Sequence, residues 1–278
     1  MDKKTRDKTD SNNNITDLSD YEAVLHDIAD CSSKVILPFF RSKLEVQEKH
    51  DKGIYDPVTE ADRGAEKVMR ELITERFPDH GIVGEEFPNK DPDADMCWVF
   101  DPIDGTRAFI IGAPTWGTLI GLSRKGEPQL GMMNQPFTGE RFWGGANGAY
   151  YRNHDDRKAT TLATSSVTEL DKAVLSSTAP EHFAEQEAWQ KFQLLSEKTR
   201  MTRYGYDCYA YCLLAMGLVD IVAEAGLAIY DIAPLVPIVR AAGGVVTTWD
   251  NGDPTNGGAI LASANQELHD KALNALAQ

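Results

Sequence analysis

Asp101-Pro102-Ile103-Asp104-Gly105-Thr106 sets two carboxylates three residues apart, directly behind the apolar run Trp98-Val99-Phe100. The run predicts the buried end of a strand, and Pro102 and Gly105 predict a turn. Such a turn delivers Asp101 and Asp104 from the core to one edge. There the backbone N–H groups of Gly105 and Thr106 can face a phosphate. Like charges this close are costly unless a cation lies between them, and hard divalent ions prefer oxygen ligands. These residues therefore suit metal-assisted phosphate chemistry. The Thr106 hydroxyl beside the pair can hold an attacking water, with Glu85 as the acceptor of its proton.

Further acids fall where strands and helices begin or end. Gly84-Glu85-Glu86 follows the strand-like pair Ile82-Val83, so one carboxylate can enter a site while the other meets water or a basic partner. Taken alone, such a pair is an ordinary solvated loop. Glu60 and Asp62 open an expected helix, where acids also serve the helix dipole. Asp231 precedes Ile232-Ala233-Pro234-Leu235, which places it at a helix N-cap. It is read as a cap, as a metal ligand, or as both through its two oxygens.

The elements that must position these groups follow from periodicity and turn residues. A helix is expected from Leu18–Ser19 toward Phe40, kinked or ended at Pro38, with Ser19 as a possible cap. The polar stretch 43–56 reads as an irregular strand or mobile loop. Thr59 to Phe77 reads as a second helix, with Thr59 as its cap. Strands are expected at 82–83, 98–100, 115–123, 129–135 and 141–143, the later ones as an antiparallel sheet. The second half alternates: strand 173–177, helix 183–199, short strand 201–204, helix 209–216, strand 219–224, helix 231–242, strand 245–249, strand 259–262 and helix 268–276. This is an α/β pattern. The polar run 153–158 gives the boundary. Residues 1–18 read as a disordered tail, 19–155 as an α+β domain carrying the metal motifs, and 156–278 as an α/β domain completing the site.

Composition narrows the function. The chain has 278 residues, 42% of them hydrophobic and 26% charged, as in an ordinary soluble protein. A net charge of −15 disfavours nucleic acid as a partner. No run is apolar for long enough to span a membrane. The start lacks the features of a secretory or transit peptide, so a cytoplasmic protein is expected. Cys31, Cys97, Cys208 and Cys212 show no zinc-site spacing and read as free thiols. No Gly-rich stretch closes in Gly-Lys-Ser/Thr, which argues against a kinase or ATPase.

The motifs Thr59-Glu60-Ala61-Asp62, Gly84-Glu85-Glu86, Asp101 to Thr106, and Tyr230-Asp231-Ile232-Ala233 with Ala241-Ala242-Gly243-Gly244 occur in this order. Together they resemble the inositol monophosphatase-like family of magnesium-dependent phosphomonoesterases over about residues 20–276. The resemblance implies an αβαβα layered fold, often as a homodimer. It implies that Glu85, Asp101, Asp104, Asp231 and the Ile103 carbonyl hold two or three Mg2+ ions. Thr106 and Glu85 would then place the nucleophilic water, Asp62 would orient water or a weaker third ion, and Gly105 and Thr106 would meet the phosphate of a small ester. Tyr55-Asp56-Pro57-Val58-Thr59, Asp104-Gly105-Thr106-Arg107, the segment Arg203 to Tyr211, and Glu224-Ala225-Gly226-Leu227 look like the histidinol-phosphatase branch. Gly205-Tyr206-Asp207 departs from the Gly-Gly-Asp expected there. Histidinol phosphate carries an ammonium and an imidazole, which Asp207 and Glu224 can bind. Arg107, Arg203 and Asp231 complete the candidate substrate contacts. Asp207 is also read as a helix cap, and Arg107 as a surface or dimer-contact residue. Inositol phosphate, a sugar bisphosphate or a nucleotide bisphosphate are the other candidate substrates.

Overall fold

Two β-sheets and three layers of helix alternate, an αβαβα sandwich. The structure, a computed structural model, describes residues 18–42, 46–48, 57–156, 158–183 and 185–278. The expected tail at 1–17 and most of the 43–56 segment, with Tyr55 and Asp56, lie outside these residues.

The outer layer on one side is α1 (Ser19–Ile36) and α2 (Glu60–Arg76), with a small antiparallel ribbon of β1 (Val46–Glu48) and β2 (Pro57–Thr59). The first large sheet contains β3 (Gly81–Gly84), β4 (Met96–Asp104), β5 (Gly117–Arg124), β6 (Glu127–Gln135), β7 (Glu140–Gly145), β8 (Gly148–Arg152) and β9 (Thr160–Thr161), side by side in chain order. Only β3 and β4 are parallel. Helix α3 (Thr106–Ile111) leaves the end of β4. The second sheet is built from β10 (Val174–Ser177), β11 (Met201–Tyr204), β12 (Ile221–Leu227), β13 (Val245–Thr248) and β14 (Gly258–Ser263), in the order β11-β10-β12-β14-β13. Strand β10 runs parallel to both of its neighbours. The remaining helices are α4 (Gln186–Lys198), α5 (Tyr209–Ala215), α6 (Ile229–Ile232), α7 (Val236–Ala241) and α8 (Gln266–Leu276).

The period of two along each strand sorts side chains into these layers. On β6, Met132 joins α1 and α2 in one core while Met133 joins the core between the sheets. Phe142 and Trp143 divide in the same way on β7. On β14, Ile260 and Ala262 face the central core, whereas Leu261 packs with Phe192 of α4 and Leu268 of α8. Helices α5 and α7 fill the middle layer.

The expected single helix over 231–242 is in fact two short ones. Pro234 and Pro237 lack an N–H, and their rings crowd the preceding turn, so the ladder breaks. The broken segment lies flat on the first sheet, where a Cβ added at Gly131 would sit 1.8 Å from the Pro234 carbonyl oxygen. All four cysteines are free. Among the described residues, no helix is long and apolar enough to cross a membrane.

Candidate active site

Asp101 and Asp104 are an odd number of residues apart, so a regular strand would send them to opposite faces. A bulge prevents this. Asp101 pairs with Leu119 and Asp104 with Gly117, so three steps on β4 oppose two on β5. The Thr118 hydroxyl holds the displaced Pro102 carbonyl at 2.8 Å, and Asp101 Oδ1 accepts the Ile103 N–H at 3.0 Å. Gly105 then turns the chain at φ +84°, in the left-handed region. There a Cβ would meet Asp207 Cγ at 3.0 Å.

Asp231 arrives from the other half of the chain. It is the third residue of α6, not the N-cap expected from sequence. Its Oδ2 reaches back to accept the Ala228 N–H at 2.8 Å. Carboxylate oxygens of Asp101, Asp104 and Asp231 all lie within 4.8 Å of one another. At that spacing each charge pair repels by about 3.5 kcal/mol at an effective dielectric constant near 20. Burial, then the charges of Glu85, Asp104, Asp231 and Asp62, push the Asp101 carboxyl well above the usual carboxylate range. Burial, then Asp231 and Asp207, do the same to Asp104, against the Cys208 N–H that donates to its Oδ2 at 2.7 Å.

These acids close one end of a cavity of about 410 Å³. Half-buried Glu85 lines the same end. The Ile103 carbonyl accepts the Thr106 hydroxyl at 3.2 Å there. Asp207, Glu224, Glu181, Arg107 and His182 also line the cavity, with Asp207 beside the Gly105 turn and close enough to raise Asp104. Asp207 has φ +46°. Its carboxyl is pushed up to about 7 by burial and then by Glu224, with Arg107 opposing. It does not cap α5, whose first flanking residue is Cys208. Glu224 is raised by burial; the N–H and hydroxyl of Thr178 donate to one of its oxygens and Tyr211 to the other, which hold it down in part. Arg107 donates to His182 Nε2 at 3.0 Å.

Two predicted site residues lie elsewhere. Arg203 is exposed on edge strand β11 and does not line the cavity: its register with Ser176 puts it on the sheet face of Val222 and Glu224, but two strands out from β12. Asp62 is 2% exposed on α2 behind the acids, close enough to raise Asp101 yet not part of the cavity wall. Sequence reasoning missed Thr178, Tyr211 and His182. Thr178 did carry a signal, since it follows the parallel strand β10 and ligands gather outside the carboxyl ends of such strands. Tyr211 sits in a tyrosine-rich segment where packing is the ordinary role of such residues, and His182 stands alone in sequence.

The donor set fits a hard divalent cation: only oxygen ligands, three carboxylates crowded in a buried end, and a charge deficit that a cation removes. Among the described cavity residues, Arg107 is the one guanidinium against seven carboxylic acids.

Known proteins share both the sequence and the fold. The chain is 40% identical over 273 residues to the chloroplastic bifunctional phosphatase IMPL2 of Arabidopsis thaliana, covering 94% of this chain and 76% of that protein. It is 36% identical over 221 residues to the histidinol-phosphatase of Mycobacterium tuberculosis, covering 79% and 84% respectively. A solved inositol monophosphatase from Zymomonas mobilis superposes with a TM-score of 0.81 at 41% identity, over 93% of this chain and 99% of that one. The family model described as the inositol monophosphatase family matches residues 17–278, and this chain belongs to that family.

Proposed function

We propose that the chain hydrolyses monophosphate esters of small polar alcohols with Mg2+, histidinol phosphate being the preferred substrate. The convergence of Asp101, Asp104 and Asp231 in the cavity carries the phosphatase reading. Asp101, Asp104, Asp231, Glu85 and the Ile103 carbonyl would hold the metal. When bound, the metal supplies positive charge for the phosphate oxygens and lowers the pKa of water. The residues do the rest. Glu85 accepts a proton from the attacking water, and the Thr106 hydroxyl keeps lone pairs free to orient it. The turn at Gly105 and Thr106 presents backbone N–H groups to the ester phosphate. Attack forms the bond from the water oxygen to phosphorus and breaks the bond from phosphorus to the alcohol oxygen; the leaving alkoxide takes a proton from solvent water and Glu85 returns its proton to solvent, so that alcohol and inorganic phosphate are released.

The alcohol would lie against Asp207 and Glu224. They form an acidic wall there, which suits a cationic leaving group. The histidinol-phosphatase of Mycobacterium tuberculosis supports this reading by its name. The second reading, inositol 1-phosphate, is favoured by the Zymomonas mobilis inositol monophosphatase structure. Acids whose pKa values are raised can also meet hydroxyl groups as neutral donors and acceptors. A bisphosphate is the poorest fit, because Arg107 alone offers fixed positive charge in the described wall.

Phosphate release with Mg2+ from histidinol phosphate, inositol 1-phosphate and fructose 1,6-bisphosphate tests all three. The main reading expects kcat/KM highest for histidinol phosphate. Equal or better turnover of inositol 1-phosphate moves the assignment to the second reading, and no release from any ester ends both. Self-association as a homodimer belongs to the same proposal, and sedimentation equilibrium checks it.

A further inference from the structure

Glu66 carries no motif signal, yet its side chain is fully buried on α2. A buried carboxylate is costly unless its oxygens are well satisfied. Here both are engaged. Oε2 accepts the backbone N–H of Glu86 at 2.7 Å, and Oε1 accepts Arg70 Nε at 2.6 Å. Arg70 then donates to the carbonyl oxygens of Phe87 at 3.1 Å and Pro88 at 3.0 Å. One ion pair thus fixes the three residues that follow Glu85. Gly84 completes the contact from the other side. A Cβ at Gly84 would lie 2.3 Å from Glu66 Oε1, so only glycine lets the strand end approach this carboxylate. Asp62, Glu66 and Arg70 are spaced by four residues and share one face of α2. That face runs from behind Asp101 to beneath the turn that bears Glu85.

We propose that Glu66 is the positioning residue for Glu85: by holding the Glu86 N–H and Arg70, it sets the 84–88 turn so that the Glu85 carboxylate stands at the acidic end of the cavity. A salt-bridged carboxylate is better suited than a neutral group, because it binds both the backbone N–H and the guanidinium through charge-assisted bonds. The role of Glu85 at the metal rests on the proposed function, whereas the ordering of the turn does not.

The test compares wild type, Glu66→Gln and, as a control, Glu71→Gln, whose side chain is exposed on the same helix. Amide exchange over residues 84–88 is measured on the metal-free protein, and Mn2+ binding is titrated by electron paramagnetic resonance without substrate. Glu66→Gln is expected to speed exchange of the Glu86 amide by about tenfold while β4 amides keep their protection. Its Mn2+ dissociation constant should rise by about tenfold, the usual scale for a residue supporting a metal ligand. With Mg2+ and substrate, kcat should fall while KM changes little. Glu71→Gln should match wild type throughout. Unchanged protection at Glu86 overturns the proposal. So does faster exchange with wild-type Mn2+ affinity, because Glu66 would then be structural only. If wild type itself binds no Mn2+, the metal reading fails and the exchange comparison alone decides whether Glu66 orders the turn. Should Glu66→Gln fail to fold, Gly84→Ala perturbs the same contact from the strand side and is judged by the same two measurements.

Discussion

Asp207, the side chain proposed to meet the substrate's ammonium, also bears on stability. It holds a left-handed backbone conformation, which costs most residues energy but is tolerated by Asp and Asn. Its carboxyl titrates at about 7 in the fold and near 3.8 when the chain is open. A folded pKa above the unfolded one means the fold prefers the protonated acid. That stabilisation is complete below about pH 4 and is lost as pH rises through about 7. Asp207→Asn keeps the shape and the backbone preference but removes the titration. In metal-free protein, its Tm should match wild type near about pH 4 and exceed it at about pH 8, as differential scanning fluorimetry can show. The same variant should raise KM for histidinol phosphate more than for inositol 1-phosphate, because a neutral amide loses the attraction for an ammonium.

At the scale of elements, the site depends on irregularities rather than on regular strands and helices. The bulge in β4 turns Asp101 and Asp104 to one side, and the break between α6 and α7 frees Asp231 to face them. The break is seated by glycines on the first sheet. Gly131 gives the Pro234 carbonyl room, and a methyl group there would sit 1.8 Å from it. Gly131→Ala should therefore lift the α6–α7 segment, costing about 1–3 kcal/mol. For a chain of this size that is a Tm loss of about 2–4 °C per kcal/mol. Because Asp231 moves with the segment, the Mg2+ concentration for half-maximal activity should also rise. A lower Tm with unchanged Mg2+ dependence would show that the sheet contact and the metal site are independent. A second anchor lies at α5, where Tyr209 donates to Glu140 of β7 at 2.6 Å and so pins the turn whose Cys208 N–H meets Asp104.

Over the whole molecule, the crowded acids make stability depend on the cation. Asp101 and Asp104 are raised well above their usual range and Asp207 to about 7, so without a cation each favours the fold at low pH and loses that contribution as pH rises. Two histidines, half-buried His26 and fully buried His269, act in the opposite sense. His26 and His269 are lowered to about 4, chiefly by burial, so their contribution is present above about pH 6.5 and fades as pH falls toward 4. The metal effect is separable because binding needs the ionised acids. The Tm gain on adding Mg2+ to chelator-treated protein should thus grow from about pH 5 to about pH 8. At one hundred times the dissociation constant, binding stabilises by about 2.7 kcal/mol. A gain independent of pH would argue that the crowded acids are not the ligands.

The placement of most strands and helices and the acids Glu85, Asp101, Asp104 and Asp231 were legible in the chain, because hydrophobic periodicity and turn residues are local and the motifs are short, and the αβαβα layering was implied by the family resemblance those motifs carry. Sequence alone thus determined which groups could do phosphate chemistry and in what kind of fold. Tertiary structure decided which of them meet. Arg203 stays out at the sheet edge and Asp62 outside the cavity wall, while Thr178, Tyr211 and His182 join the cavity from elements far apart in the chain. The bulge that aligns Asp101 with Asp104 exists only through pairing with β5, and Glu66 matters only because Gly84 and Glu86 come to it across twenty residues. Spacing along a chain fixes a side chain's identity and its local direction. Convergence within 4.8 Å of acids from separate elements is a property of how layers pack, and no local pattern encodes it.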